Sequence, residues 1–496
     1  MSGISYLDVA IVALMLLVVT VAGHLLAGRS IKGVSGFFKG DNNVPWWAVS
    51  ASIIATKISA LTFIALPAKV FVDGGNLEFA LAIGGFILGN LLMAMIFVKP
   101  YYEEGVYSPY DFIGRRIHPD VAVLSRLLFL LGTVLSQAVR LLATSVVLQV
   151  ISGWQMSICI MVIVLFSIIW SAIGGIKTVI WTDLFLFVVF LCGGLIALYT
   201  AISGADMTLP SILKVLDEKA KLKIMELSLD PTKTYTLWAG LFGAAVFELG
   251  SNAIDQVITQ RIVCCRSTKA ARLAVITSAF SVVPTMIMLM VGLALVVFFH
   301  QHGLPVEQAH LVQPGEDAVF PYFVAHHIPA GLSGIILAGI FASGISTLDS
   351  ALTALAQTTV VGVRDTLQAQ SERDDAALLR RSRRFVVFWG GAILAVSLLL
   401  HRLTAASGEG LLDMGLRVPA FVYGSLLGLA ILSLWRGTPK RMAILGAVCG
   451  CAATLGLWKL SVGFFWWYPV AALITVTVGR IGASKAPAAT EAATNT

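Results

Sequence analysis

Apolar positions in this chain come in long runs, separated by short polar segments. The period-2 alternation of a half-buried strand and the one-sided stripe of a soluble helix are both missing. A helix needs about 20 apolar residues to cross the hydrocarbon core of a bilayer. Thirteen stretches qualify, at about 6–28, 45–71, 78–99, 122–150, 156–173, 179–203, 237–258, 272–299, 329–360, 384–401, 411–434, 441–459 and 463–480. The pattern predicts an all-α integral membrane protein of about 13 transmembrane helices. Residues 1–480 then form one transmembrane domain, and the Ala/Thr/Lys-rich tail 481–496 is expected to be disordered in the cytoplasm.

The gaps between runs orient the chain. Those after the first, third, fifth, seventh, ninth and eleventh runs carry the basic residues, among them Arg29, Lys32, Arg115, Arg116, Arg261, Arg266 and Lys440. The segments 72–77 and 300–328 contain Asp73, Glu307, Glu316 and Asp317 and no Lys or Arg. Basic residues collect on the cytoplasmic side, which places the N-terminus outside and the C-terminus inside. Residues 204–236 depart from the rule, with five lysines among acidic residues, and are expected to hold a short amphipathic surface helix.

Composition removes most other functions. Of the 496 residues 58% are apolar and 12% charged, and mean hydropathy is +0.89. Such a chain is no soluble enzyme, nucleic-acid-binding module or disordered scaffold. The net charge of +7 is spread over loops and makes no nucleic-acid patch. Six cysteines and eight histidines show no metal-ligand spacing, and no nucleophile motif is present, so the chain is not expected to be an enzyme. No Asn-x-Ser/Thr acceptor occurs, which suits a multi-pass protein of a bacterial inner membrane.

Polar groups inside the runs carry the chemistry, because a charge at mid-bilayer costs at least about 2.5–3.5 kcal/mol. Lys57, Arg140, Asp183, Glu248 and Asp349 fall there. They are either buried ion pairs that lock helices or parts of a ligand or ion path. The second run has Ser50, Ser52, Thr56, Lys57, Ser59 and Thr62 where an anchor would have leucine. Hydroxyl-mediated packing is one reading; an unwound segment with free carbonyls for a cation is the other. The ninth run repeats the theme with Ser343, Ser346, Thr347, Asp349 and Ser350, the hard oxygens a small cation needs. Gly240, Gly243, Gly250 and Ser251 around Glu248 suggest a second interruption, in the seventh run. Interrupted spans at matching places in two halves point to the site of a secondary transporter.

Four segments carry a resemblance: Ser52 to Phe63 with Pro67-Ala68-Lys69; Gly174-Gly-Ile-Lys-Thr-Val-Ile-Trp-Thr-Asp183; Asp255-Gln256 with Gln260-Arg261; and Ala342 to Ser350. Together they resemble the sodium:solute symporters, which include sodium/glucose, proline, pantothenate, iodide and sialic acid transporters. The resemblance implies the inverted five-plus-five helix repeat (LeuT-like), with core repeats at about 45–203 and 237–434, one span before and two after. It implies Na+ as the coupled ion, held by carbonyls of Ala55 and Ile58 and by a carbonyl and two hydroxyls at Ser343, Ser346 and Thr347. It further implies a possible second sodium site at Asp183, Ser346, Asp349 and Ser350, with a carboxylate at 349 where a hydroxyl is usual.

Lys57 departs from the family pattern, and is expected either to pair with Glu248 or Asp349 or to face the solute. Arg140 matches an arginine that members carrying organic acids use near the substrate carboxylate. Lys57, Ser59, Thr62, Arg140 and Glu248 are therefore the expected solute contacts. Two cations facing one cavity favour a small organic anion as partner, imported across the plasma membrane with no obligate protein partner. The alternatives are a proton-coupled or neutral sugar or amino-acid transporter of the same fold, or a cation-coupled antiporter.

Overall fold

The computed structural model describes residues 5–27, 43–105, 108–171, 176–313, 315–367, 375–404 and 409–483. The tail beyond 483, the Gly174-Gly175 pair and the basic segment 28–42 lie outside the described residues. All thirteen apolar runs are helical. They give α1 (Tyr6–Ala27), α2 (Trp46–Lys57), α3 (Ala60–Phe71), α4 (Leu81–Ile96), α5 (Val98–Glu103), α6 (Pro109–Arg116), α7 (Pro119–Ser152), α8 (Met156–Ser171) and α9 (Ile176–Gly204). After α10 (Leu209–Glu218) come α11 (Ala244–Ala253), α12 (Gln256–Val263), α13 (Thr268–Thr277), α14 (Val282–His302), α15 (Val319–His327) and α16 (Leu332–Leu367). The chain closes with α17 (Asp375–Thr404), α18 (Leu411–Arg417), α19 (Ala420–Leu432), α20 (Lys440–Lys459) and α21 (Trp467–Gly479). Apart from one isolated bridge, Val44 to Cys265, no strand pairing occurs among the described residues.

Eight of the described helical segments are long and apolar enough to cross a bilayer, or nine with α2 and α3 taken as one bent span. Tyr6–Met15, Met156–Ser171 and Phe464–Gly479 are shorter apolar helices. Length and composition alone thus support fewer crossings than the thirteen apolar runs suggest. The surface helix expected within 204–236 is α10, but Lys221 beyond it is buried and not part of a solvated face.

Two features position the interior. The second run breaks between Lys57 and Ala60, where Ile58 (φ −87°, ψ 109°) and Ser59 (φ −121°, ψ 179°) are extended and the two halves bend by 53°. The seventh breaks at Ile254 and Asp255 (φ −82°, ψ 121°), between α11 and α12. That is past the glycines that suggested an interruption; over Ala239–Gly243 the chain is π-helical, and Gly243 also marks close packing, since a Cβ there would stand 2.6 Å from the Phe465 carbonyl oxygen. The long helices α7 and α16 pack against each other, and α9 packs on α2, α14 and α16. A Cβ at Gly344 would collide with the Thr144 side chain, so α16 lies directly on α7 beside its hydroxyl run. Asp8 is buried and accepts from Gly331 N (2.8 Å), Gly334 N (2.9 Å) and Ser333 Oγ (2.8 Å), tying α1 to the start of α16.

Candidate functional site

The broken second run is where the backbone stops satisfying itself. In a continuous helix the carbonyls of Ala55 and Ile58 would accept from the N–H groups of residues 59 and 62. Here Thr62 N donates to Ser59 O (2.9 Å), and no backbone N–H among the described residues crosses the break to Ala55 or Ile58. Both residues are buried. Unpaired buried carbonyls are costly in a low-dielectric interior, and they are the oxygen ligands a hard cation uses.

The hydroxyl run on α16 faces this break. Ser52 Oγ on α2 and Ser346 Oγ on α16 donate to the two oxygens of Asp183, at 2.7 and 2.8 Å. One carboxylate therefore ties the two regions together. Ser343 Oγ is buried without a hydrogen-bond partner, and Thr347 opens onto the central cavity. Ile58 and Thr347 line that one cavity, which brings an open backbone segment and a hydroxyl together, the oxygen chemistry a small cation takes. Asp183 itself lies about two turns into α9, deeper than the first-turn position the sequence suggested, because α9 begins at Ile176.

Arg261 does not lie in a solvated basic loop. It is 1% exposed, and donates from Nη2 to Asp183 Oδ2 (2.8 Å), from Nε to Ser52 Oγ (2.7 Å) and from Nη1 to Val257 O (3.1 Å). Its Nη2 also reaches Ser350 Oγ at 3.4 Å. Asp349 points toward Ser171, whose hydroxyl donates to Oδ1. Asp183, Ser346 and Ser350 are thus gathered around a guanidinium, with Asp349 on the side of α8.

The central cavity has a volume of about 210 Å³. Lys57, Ser59, Thr62, Arg140 and Glu248 all line it, and so does Asp255. Of the partners open to Lys57, the structure selects Glu248: Nζ lies 2.6 Å from Glu248 Oε1 and 2.7 Å from Asn90 Oδ1. Arg140 Nη1 donates to Thr56 O at 3.1 Å, the only hydrogen bond of its guanidinium among the described residues. The four charged side chains lining the cavity, Lys57, Arg140, Glu248 and Asp255, sum to zero.

Sequence reasoning missed Asn90 and Asn252, which orient the Glu248 carboxylate, Ser278, which contacts Asn90, and also Asp8. A lone amide or carboxylate in an apolar run was the available signal. A second cavity of about 430 Å³ is lined by acidic groups including Glu316, Asp317, Glu409 and Asp413. Lys69 does not simply reach to the surface: it pairs with Asp413 (2.7 Å) beside the Tyr235 ring. In the loop before α15, burial pushes the Asp317 carboxyl up to about 7.

The sodium:solute symporter family model matches residues 37–453. The human sodium/iodide cotransporter is 27% identical over 91% of this chain and 69% of its own length. The bovine sodium-coupled monocarboxylate transporter 2 is 24% identical over 80% and 67%. The fold matches that of a Na+-coupled sialic acid symporter solved in a substrate-bound outward-open state, with a TM-score of 0.83 and 21% identity over 97% of this chain and 98% of that one. All-helical among its described residues, broken at Ile58–Ser59 and Ile254–Asp255, and with the LeuT-like fold, the chain belongs to the sodium:solute symporter family, whose members carry small solutes across membranes and are not enzymes.

Proposed function

We propose that this protein is a sodium-coupled symporter that imports a small carboxylate-bearing solute by alternating access. Thirteen crossings, an external N-terminus and an internal C-terminus complete the reading, and the basic residues of the alternate loops support it. The observation that carries the sodium half is the break at Ile58 and Ser59, which leaves the Ala55 and Ile58 carbonyls without backbone partners, with Thr347 on the cavity that Ile58 lines and Ser346 joined to α2 through Asp183. The carboxylate half rests on Arg140. With Lys57 committed to Glu248, Arg140 is the cavity cation with donors to spare, and a guanidinium binds a carboxylate through two parallel hydrogen bonds. Ser59 and Thr62 line the same cavity as polar contacts for the rest of the solute.

One sodium is the favoured stoichiometry. A second ion among Asp183, Ser346, Asp349 and Ser350 would have to displace Arg261, which already supplies the positive charge there. One sodium with one monoanion moves no net charge. Uptake then forgoes about 3.5 kcal/mol from a potential of about 150 mV, and runs on the sodium gradient, about 1.4 kcal/mol per tenfold ratio. The test is uptake of a radiolabelled panel of carboxylates, sugars and amino acids into proteoliposomes, with sodium or choline outside. A carboxylate accumulated only in sodium, unaffected by membrane potential and lost in Arg140→Ala, is the expected result. Accumulation of a neutral sugar that Arg140→Ala leaves intact would overturn the carboxylate assignment.

A further inference from the structure

Lys57 stands at the last turn of α2, and its ammonium ends among oxygens that are arranged without it. Asn90 Nδ2 donates to Phe86 O (2.8 Å) and Glu248 Oε1 (2.9 Å), and Asn252 Nδ2 to Glu248 Oε1 (3.2 Å) and Asn90 Oδ1 (3.3 Å). Ser278 Oγ shares its one proton between Val275 O (2.7 Å) and Asn90 Oδ1 (3.1 Å). Asn90, Asn252 and Ser278 are 0%, 2% and 0% exposed. These bonds hold the Asn90 amide oxygen and the Glu248 carboxylate oxygen on one point, and Lys57 Nζ occupies it at 2.7 and 2.6 Å. Arg140 and Asp255 line the same cavity but form no ion pair with Lys57 or Glu248.

A carboxylate oxygen and an amide oxygen, fixed by second partners, make a ligand set for a hard monovalent cation. An apolar pair of the same volume would hold these helices together with less desolvation cost, so the charge itself has a use.

We propose that Lys57 is a tethered cation filling a monovalent-cation seat formed by Asn90 and Glu248, and that it sets how many ions the carrier couples. A free ion in that seat would enter from one side and leave on the other, drawing on its gradient. A tethered ammonium travels with the protein in both directions and contributes no gradient energy. Arg261 at Asp183 has the same form, a side-chain cation on a buried carboxylate. The inference rests on the sodium-coupled reading above and is tested by a difference from wild type.

The experiment counts 22Na+ bound per protein at saturation for the purified wild type, Lys57→Ser and the double variant Lys57→Ser/Glu248→Gln. Lys57→Ser is expected to bind one sodium more than wild type, with the additional ion displaced by methylammonium. The double variant, which removes the anionic ligand, is expected to return to the wild-type number. Equal counts in wild type and Lys57→Ser overturn the proposal. If Lys57→Ser aggregates in choline but is monodisperse in sodium or methylammonium, the seat is supported; aggregation in all three overturns it. A wild type that binds no sodium defeats the sodium-coupled function, whatever the difference between variants.

Discussion

The two helix breaks have the same outline and opposite finish. At Ile58 and Ser59 the carbonyls of Ala55 and Ile58 face the interior without backbone partners, and the cap of α3 receives no side-chain hydrogen bond. At Ile254 and Asp255 the carbonyls at the break are answered. Tyr101 Oη donates to Ala253 O (2.9 Å), Tyr110 Oη donates to Ile254 O (2.7 Å), and Asp255 Oδ1 accepts from Val257 N (2.6 Å) to cap α12. A break whose carbonyls are filled by fixed hydroxyls is a rigid bend. One whose carbonyls are left open has polarity to give to a ligand. The difference lies in the flanking helices: tyrosines from α5 and α6 reach the carbonyls of Ala253 and Ile254, whereas at the first break Arg140 of α7 reaches Thr56 O, and no side-chain donor among the described residues reaches Ala55 or Ile58.

The largest expected effect comes from the contact that joins the two. Asp183 holds Ser52, ahead of the first break, and Arg261, beyond the second, at 2.7 and 2.8 Å. Arg261→Ala strands a buried carboxylate, and removing one member of such a pair costs about 3–5 kcal/mol. Thermal unfolding in detergent should fall accordingly, with Asp183→Asn/Arg261→Met recovering most of the loss. Next in size is Tyr110→Phe, which leaves the Ile254 carbonyl buried without a donor, for about 1–3 kcal/mol. Its sodium affinity should stay at the wild-type value. A shift in sodium affinity with unchanged stability would mean that the second break also serves the ion, and the contrast would fail.

What was legible in the sequence follows the same division. The first break announced itself locally, through hydroxyls and Lys57 where leucine belonged. The second was expected among Gly240 to Gly250 and lies at Ile254 and Asp255, because it is made by Tyr101 and Tyr110, far back along the chain. The run 259–272 read as a basic loop because charges were counted along the sequence. Arg261 is buried because its partner, Asp183, comes from a different helix. Lys57 was readable as needing a carboxylate, but Asn90, Asn252 and Ser278, which complete its surroundings, carry no pattern that distinguishes them from other isolated polar residues. Element existence follows from periodicity, whereas the partner of a buried charge is a property of packing.

If the first break is the ion's, deleting one ligand should change affinity more than fold. Thr347 faces the cavity from α16 and makes no hydrogen bond among the described residues, so Thr347→Ala leaves no protein group newly unpaired. Sodium needed for half-maximal uptake is expected to rise about tenfold, the equivalent of about 1.4 kcal/mol, with unfolding temperature nearly unchanged. An unaltered sodium requirement would take Thr347 out of the ion's shell and leave Ser343 and Ser346 as the α16 ligands.

The smallest effect tests whether the openness of the first broken helix is confined to its middle. At the C-terminal end of α3, Lys221 Nζ donates to the carbonyls of Val72 (2.6 Å) and Phe71 (3.2 Å), as the tyrosines do for α11. Burial pulls this ammonium down from its usual 10.5 to about 8. Between about pH 8 and 10.5 the unfolded chain therefore keeps a proton the native protein has shed, and stability rises with pH across that window. Below pH 8 both states hold the proton and the slope vanishes. Lys221→Met loses hydrogen bonds each worth about 0.5–1.5 kcal/mol net, but no longer has to desolvate an ammonium, so the change at pH 7 should be under about 1 kcal/mol. The difference between wild type and variant should instead widen steadily from pH 8 upward in unfolding measured across pH. A constant difference would mean that Lys221 stays charged in its cap, and that the C-terminal end of α3 is wetter than its surroundings imply.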